Sequence, residues 1–219
     1  MSTIVLEEQI RIPDRIVDLD SFRRWARSDD FPERGRFSHL QGEVWVDLMP
    51  EQLFTHNQVK VEYASVLFVL LKSDRRGRFF GDRTLVSHLD AGLSTEPDGT
   101  FVSYESLKRG RVQLIEGGEG FLELEGAPDM VLEVVSTSSV RKDTVVLREL
   151  YWQAGIPEYW LVDARGDRLQ FDILKFGRQG YVTTRTQSGW LKSAVFRKSF
   201  RLTSHPDELG HPEYTLSVR

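Results

Sequence analysis

Cysteine is absent from the 219-residue chain, which excludes disulfide bonds and thiolate-ligated zinc sites. Long apolar runs are missing too, since the longest candidate, residues 64–71, is far shorter than the ~18 residues that a membrane-spanning helix needs. Residues 1–8 lack the basic region and apolar core of a secretory signal peptide. These absences predict a cytoplasmic protein that does not use a membrane as a partner.

The sequence also lacks the common phosphate-binding and hydrolase motifs. It contains no GxxxxGK[ST] loop, no GxGxxG after a predicted strand and no GxSxG turn. The spacing of the histidines at positions 39, 88, 205 and 211 does not fit a zinc site. A catalytic site therefore has to be sought among isolated carboxylates.

The charge balance is slightly acidic, with a formal net charge of −4 and a sequence pI near 5.8. Proteins that coat nucleic acid are usually basic, so nonspecific binding through the whole surface is disfavoured. Local contact with a phosphate backbone remains open, because electrostatic fields are local. Length and an ordinary 40% hydrophobic content predict one domain over residues 1–219.

Hydrophobic periodicity predicts an α/β fold. Helices are predicted over 18–27 (with Asp18 or Asp20 as N-cap), 55–72 and 142–154. Strands are predicted on both sides of Gly42 within 36–49, and at 79–89, 100–104, 130–135, 158–163 and beyond 168. Residues 109–124 fit either a loop or a hairpin. The predicted core, residues 36–175, runs helix, strand, strand, strand, helix, strand, with a mixed central sheet and a parallel crossover at 130–162. Antiparallel additions are predicted at both ends, in a helix/strand extension at 1–35 and a strand-rich extension at 176–219.

Glu133 stands within the apolar strand Met130–Val135 and is the most unusual residue of the sequence. A buried carboxylate without a partner costs several kcal/mol, so it has to be paired, protonated or metal-bound. Strand alternation places Glu133 with Val131 and Val135 on one face. The alternative is a structural ion pair with an arginine or lysine of a neighbouring element.

Asp98 follows Pro97 at the start of another predicted strand. Taken alone it fits a turn aspartate that caps its own backbone. Together with Glu133 it could bind Mg²⁺, which takes oxygen ligands and keeps several waters. Asp129 is some 13 Å from Glu133 along the strand, too far to share an ion. His56 is predicted to be a surface residue at a helix start.

Several ordered strings resemble the Uma-type putative restriction endonuclease family of bacteria, which has the PD-(D/E)XK nuclease-like fold. They comprise residues 127–136, Asp143, Tyr151 and 154–163, supported by 40–43, His56 and 97–98. The resemblance covers about residues 20–175. It implies that Asp98, Glu133 and the backbone carbonyl of Val134 bind Mg²⁺, or Mn²⁺ in its place. The implied activity is hydrolysis of DNA phosphodiester bonds, and a homodimer would suit duplex cleavage.

The chain departs from that pattern at its lysine. The fold's motif places lysine at Val135, and this family places it at Leu147, so both positions lack it. Lys142 is the nearest candidate, but it lies about 140° around a regular helix from Leu147. It could substitute only if the chain before Asp143 were non-helical. Arg148 is about 100° away and would stabilise charge without acting as a base.

Three hypotheses follow. The first is a Mg²⁺-dependent DNA endonuclease that uses Asp98, Glu133 and Lys142, weakened or inactive because the motif lysine is missing. The alternative is a non-catalytic nucleic-acid-binding or regulatory domain on a degenerate nuclease fold. The third is a structural or assembly domain whose exposed C-terminal strands pair between chains.

Overall fold

A computed structural model describes residue 10 and residues 12–118, 120–166 and 168–219. Part of the predicted N-terminal extension, residues 1–9 and 11, lies outside the described residues. The helices are α1 (Leu19–Ala26), α2 (Val59–Asp74), α3 (Tyr104–Lys108) and α4 (Leu147–Gln153). Two π-helical segments, Leu53–Gln58 and Lys142–Val146, lead directly into α2 and α4.

The strands form three sheets. They are β1 (Arg36–Leu40), β2 (Glu43–Asp47), β3 (Gly77–Phe80), β4 (Leu85–His88), β5 (Leu93–Thr95), β6 (Gly99–Ser103), β7 (Val112–Gly117), β8 (Gly120–Gly126), β9 (Met130–Val134), β10 (Glu158–Asp163), β11 (Gln170–Lys175), β12 (Val182–Thr183), β13 (Leu191–Lys192), β14 (Ser199–Pro206) and β15 (Pro212–Val218). The central sheet has the order β12-β11-β10-β9-β6-β3, the second sheet β2-β1-β5-β4-β8-β7, and the C-terminal sheet β13-β14-β15.

The central sheet contains the predicted nuclease-like core. Along the chain, α2, β3, β6, β9, the helix ending in α4, and β10 follow the expected order. Strand β10 runs parallel to β9, whereas β6 is antiparallel to both β9 and β3, so the sheet is mixed. The prediction of an α/β fold of the restriction-endonuclease-like type is confirmed.

Strand β9 is buried on both faces, as its apolar sequence predicts. Leu132 and Val134 pack in the core cluster that includes α2 and the C-terminal sheet. Val131 packs on the opposite face, against Leu147 and Leu150 of α4. Glu133 shares the face of Val131, because side chains alternate along a strand. The glutamate therefore points towards the α4 side of the sheet.

Local signals account for several element boundaries. Asp18 caps α1 by accepting a hydrogen bond from the backbone N–H of Ser21, as predicted. Gln41 and Gly42 both have positive φ, which gives the tight turn between β1 and β2. The ambiguous stretch at 109–124 proves to be the start of a β7–β8 hairpin.

One strand prediction was wrong. Residues 79–89 do not form a single strand but are divided between β3 in the central sheet and β4 in the second sheet. Arg83, at φ +65°, lies in the turn that separates them. The apolar pattern continues through this turn because both strands are partly buried, so periodicity alone does not reveal the change of sheet. Among the described residues, none of the helices is both long and apolar enough to cross a membrane.

Candidate active site

An open cleft of about 600 Å³ lies beyond the carboxyl end of β9. Its walls come from β1, the segment after β2, the start of β6, the segment after β9 and the second π-helical segment. The lining residues are Arg36, Asp47, Met49, Pro50, Glu51, Gln52, His56, Asp98, Glu133, Val134, Ser136, Thr137, Ser138, Ser139, Lys142 and Asp143. The three side chains singled out in the sequence, those of Asp98, Glu133 and Lys142, all belong to this one cleft.

Asp98 is fixed beside β9 by the antiparallel register of β6, in which Gly99 pairs with Leu132. Its Oδ2 accepts a 2.8 Å hydrogen bond from the backbone N–H of Val134. Its Oδ1 lies 3.1 Å from a guanidinium nitrogen of Arg36. The side chain is buried, and it caps the neighbouring strand rather than its own turn.

Glu133 is 2% exposed, and its Oε1 accepts a 2.6 Å hydrogen bond from the hydroxyl of Tyr151. Burial raises the pKa of Glu133 well above its usual value, and the negative charges of Asp143 and Asp98 raise it further. The charge of Lys142 and the Tyr151 hydrogen bond act in the opposite direction. A nearby cation strongly favours the ionised form of a carboxyl group that is buried beside other negative charges.

Lys142 reaches the cleft although the chain around it is helical. Val140 and Arg141 are already helical and Lys142–Val146 is π-helical, so the non-helical chain on which the role of Lys142 was made conditional is not present. The π-helix breaks the regular 100° spacing on which that argument depended. Burial lowers the pKa of Lys142, but attraction by Glu133, Asp143 and Asp98 outweighs it and raises the pKa.

Leu147 and Arg148, two of the other positions considered for a cation, do not face the cleft. Leu147 is fully buried and packs in the core between α4 and the central sheet. Arg148 donates a 3.3 Å hydrogen bond to the carbonyl of Tyr181. Lys142 is therefore the residue of the three that lines the cleft.

Asp143 is a third buried carboxylate of the cleft and was not chosen as a site residue from the sequence. Its Oδ2 accepts a hydrogen bond from the hydroxyl of Ser139, and its Oδ1 lies 3.7 Å from Nζ of Lys142. Burial raises the pKa of Asp143 to about 6. The signal was present, because Asp143 belongs to the string that resembles the nuclease family.

A network of ion pairs supports Asp98 from the opposite wall. Nζ of Lys60 lies 2.8 Å from Oδ2 of Asp82 and 3.7 Å from Oδ1 of Asp98. Glu51 pairs with both Lys60 and Arg36. Burial acts against the charge of Glu51, but the hydrogen bonds from Lys60 and Asn57 prevail and lower its pKa to about 2. Sequence spacing gives no sign of this network, because its members come from separate elements.

His56 is not a surface residue, so that prediction was wrong. It is 4% exposed, lines the cleft, and its Nε2 lies 3.6 Å from Oδ2 of Asp98. The π-helical turn before α2 directs it inward, and burial lowers its pKa. Asp129 does lie outside the cleft lining, as predicted: its carboxylate accepts hydrogen bonds from the backbone N–H of Ser103 and the hydroxyl of Ser106 at the start of α3.

The donor set suits a hard divalent cation that is only partly enclosed by protein. The described residues contain no group of three or more His, Cys, Asp or Glu side chains arranged to hold a metal ion. Asp98 and Glu133 provide two carboxylates, and Val134, whose backbone carbonyl the family resemblance implies as a ligand, lines the same cleft. Mg²⁺ commonly binds through one or two carboxylates and keeps several waters. Burial and nearby negative charges raise the pKa of Glu133, and the positive charge of such an ion would lower it again.

The chain is similar to known putative nucleases in sequence and in fold. The family model described as "Putative restriction endonuclease" (Uma2) matches residues 19–204. None of the curated proteins matches the chain. A crystal structure of a "putative nuclease belonging to DUF820" from Anabaena variabilis is similar in fold, with a TM-score of 0.61 and 18% sequence identity. The similarity covers 83% of this chain and 91% of the other.

Proposed function

Because the chain belongs to the Uma2 putative restriction endonuclease family, we propose that it is a metal-dependent endonuclease that hydrolyses phosphodiester bonds in DNA. One observation carries the proposal: Asp98, Glu133 and Lys142 line the same cleft, although neither usual lysine position is occupied by lysine. Restriction-endonuclease-like proteins combine two acids and a lysine in this way. In this proposal Lys142 takes the place of the missing motif lysine.

The two carboxylates, with the backbone carbonyl of Val134, would hold Mg²⁺, and Mn²⁺ would substitute because it also prefers oxygen ligands. When bound, the ion would activate water and offset charge on the phosphate group. Tyr151 holds the carboxylate of Glu133 in one orientation, and the backbone N–H of Val134 does the same for Asp98. These contacts preorganise the two acids before substrate arrives.

Lys142 acts as a charge-stabilising group in this proposal. The attraction of three carboxylates raises its pKa, so the ammonium remains protonated at neutral pH and is unsuited to act as a base. A fixed ammonium can orient the attacking water or stabilise negative charge that develops on the phosphate oxygens. Arg36 adds a second positive charge at the cleft, although its contact with Asp98 has to adjust if Asp98 binds a metal ion.

The test is cleavage of supercoiled plasmid by purified protein with Mg²⁺ or Mn²⁺. We expect Glu133→Gln and Asp98→Asn each to abolish cleavage, while Glu149→Gln, an exposed acid of α4, serves as the matched control. EDTA should abolish the activity of the unmodified protein. Equal cleavage by Glu133→Gln and the unmodified protein would refute the assignment of the site.

A second candidate is a binding domain that does not cleave. The observation in its favour is the engagement of both Asp98 oxygens, by Arg36 and by the backbone of Val134. Calorimetric titration with Mn²⁺ separates the two candidates. Binding that is lost in Glu133→Gln supports the nuclease, whereas no binding at millimolar metal supports the non-catalytic domain.

We also propose that the protein is cytoplasmic and acts on duplex DNA as a homodimer, since cutting both strands at one place needs two sites. Light scattering coupled to size exclusion, with and without a short duplex, tests the assembly. A monomer in both conditions would refute the dimer without affecting the proposed chemistry.

A further inference from the structure

Charge is distributed very unevenly along the chain. The whole sequence has 29 Lys and Arg against 33 Asp and Glu, which makes it acidic. Residues 173–206, here called the basic segment, nevertheless contain no Asp or Glu. The segment carries seven cations: Lys175, Arg178, Arg185, Lys192, Arg197, Lys198 and Arg201. The remainder of the chain is correspondingly more acidic than the net charge suggests.

The seven cations differ in their ion pairing from cations elsewhere in the described residues. Within the described part of the chain, none of the seven takes part in an ion pair, although cations elsewhere often do. The Arg201 Nε is buried and has no hydrogen-bond partner among the described residues. A cluster of like charges without counter-charges is unfavourable in the free protein, and an anionic partner relieves it.

The C-terminal sheet presents part of this charge on one face. Leu191, Phe200 and Leu216 are buried against the core. The alternating residues point to the opposite face, where Lys192 pairs in register with Ser199 and Arg201 with Ser217. We call this the outer face; Lys192 is exposed, and Arg201 is half-buried.

An aromatic ring lies among these cations. The guanidinium of Arg201 is 4.8 Å from the ring centroid of Trp190, and that of Arg219 is 4.3 Å from it. Each cation–π contact holds its side chain in place. Two guanidinium groups beside a single ring repel one another, and a phosphate between or near them would favour the arrangement. Arginine presents a planar set of donors that matches phosphate oxygens.

The C-terminal sheet is attached to a wall of the cleft. The ring of Phe54 stacks on His211, in the turn between β14 and β15, at a centroid distance of 4.4 Å. Phe54 and the cleft residue His56 belong to the same π-helical segment. Glu62 of α2 also accepts a 2.7 Å hydrogen bond from the backbone N–H of Leu216. The sheet is thus positioned by the elements that shape the proposed active site.

From these observations we propose that the outer face of the C-terminal sheet, with the turn at Arg197 and Lys198, binds the phosphate backbone of duplex DNA. The proposal rests on the proposed function for the identity of the polyanion. The seven residues from Ser199 to His205 extend about 20 Å along β14. That length matches about six phosphates of one DNA strand, which are spaced ~3.4 Å apart along the axis. The contact would be independent of base sequence, since it reads charge rather than base edges.

The test is fluorescence anisotropy with a labelled 30-base-pair duplex, the full chain and EDTA, so that binding is measured without cleavage. The variant is Lys192→Gln/Arg197→Gln/Arg201→Gln. The matched control is Lys108→Gln/Arg109→Gln/Arg111→Gln, which removes the same charge from exposed residues around α3. We expect the first variant to bind at least ~10-fold more weakly at 0.1 M salt and to reduce the salt slope by about 2 to 3. The control should bind like the unmodified protein.

A charge-retaining variant, Lys192→Arg/Arg197→Lys/Arg201→Lys, should bind nearly as well as the unmodified protein, which separates charge from folding. Equal weakening in both glutamine variants, or no weakening in the first, would overturn the proposal. The proposal would also be overturned if the first glutamine variant lost binding to vesicles containing phosphatidylglycerol but bound the duplex unchanged. That result would assign the face to a membrane. If cleavage depends on Glu133 but the outer-face variant binds the duplex like the unmodified protein, this inference alone is refuted. Duplex binding that depends on the outer face, together with no cleavage when Mg²⁺ or Mn²⁺ is supplied, refutes the proposed function alone.

Discussion

The hydroxyl of Tyr151 donates a 2.6 Å hydrogen bond to Oε1 of Glu133, and both side chains are buried between the central sheet and α4. This contact joins the unusual acid of β9 to the helix that follows it. Burial and the negative charge of Glu133 raise the pKa of Tyr151, so the hydroxyl remains a donor at any physiological pH. The relationship fixes the orientation of one of the two proposed metal-binding carboxylates.

Removing that hydroxyl with Tyr151→Phe should lower the free energy of unfolding by about 1–2 kcal/mol, because a buried acceptor loses its partner. The pKa of Glu133 should rise further, because the hydrogen bond lowers it. Urea unfolding measures the first effect, and the pH dependence of plasmid cleavage measures the second. Unchanged stability together with an unchanged pH profile would show that the bond contributes little.

Lys142 gives a direct test of the proposed catalytic group. Lys142→Ala should reduce the cleavage rate by about 10²–10³, the usual loss when a charge-stabilising group is removed. Lys142→Arg should retain much of the rate, because the positive charge stays in the cleft. Arg148→Ala is the control and should cleave normally, since Arg148 bonds to the carbonyl of Tyr181.

Restoring lysine at the family's usual position should not rescue the enzyme. In Lys142→Ala/Leu147→Lys, the new lysine would replace a fully buried leucine and destabilise the fold by several kcal/mol. Thermal unfolding would register that loss. A stable double variant with recovered cleavage would show that a lysine at position 147 can reach the cleft. That result would contradict the role assigned to Lys142.

The sequence predicted the core well because its elements are strongly periodic and local. Strand β9 and the crossover to β10 could be read from apolar runs, and Glu133 was conspicuous within one of them. The π-helical turns could not be read in this way. Regular helical spacing misplaced Lys142, and a position at a helix start wrongly indicated a surface residue at His56. The ion pairs of Lys60 with Asp82 and of Arg36 with Asp98 depend on tertiary contacts between residues 22 and 62 positions apart, which no local pattern encodes.

Asp143 should make stability decrease as pH rises. Burial raises its folded-state pKa to about 6 from an ordinary 3.8, so the folded protein holds this proton more tightly than the unfolded chain. Stability from this group is present at low pH and is lost between about pH 4 and pH 6. Asp143→Asn, which can still accept the hydrogen bond from Ser139, should flatten that decrease. Urea unfolding in EDTA at pH 4.5 and 6.5 measures it, and identical pH slopes in the two proteins would contradict it.

Glu51 should have the opposite pH dependence. Hydrogen bonds from Lys60 and Asn57 overcome the effect of burial and lower its pKa from 4.5 to about 2. Its stabilising contribution is therefore present above about pH 4.5 and is lost as pH falls towards 2. The Glu51 side chain is 29% exposed, so we expect Glu51→Gln to cost only about 1 kcal/mol at pH 7 after solvent screening, and almost nothing near pH 2. Urea unfolding at pH 7 and at the lowest pH that keeps the protein folded tests this. An equal loss at both values would mean that Glu51 acts through packing, whereas a loss confined to neutral pH supports its role in holding Arg36 and Lys60 beside Asp98.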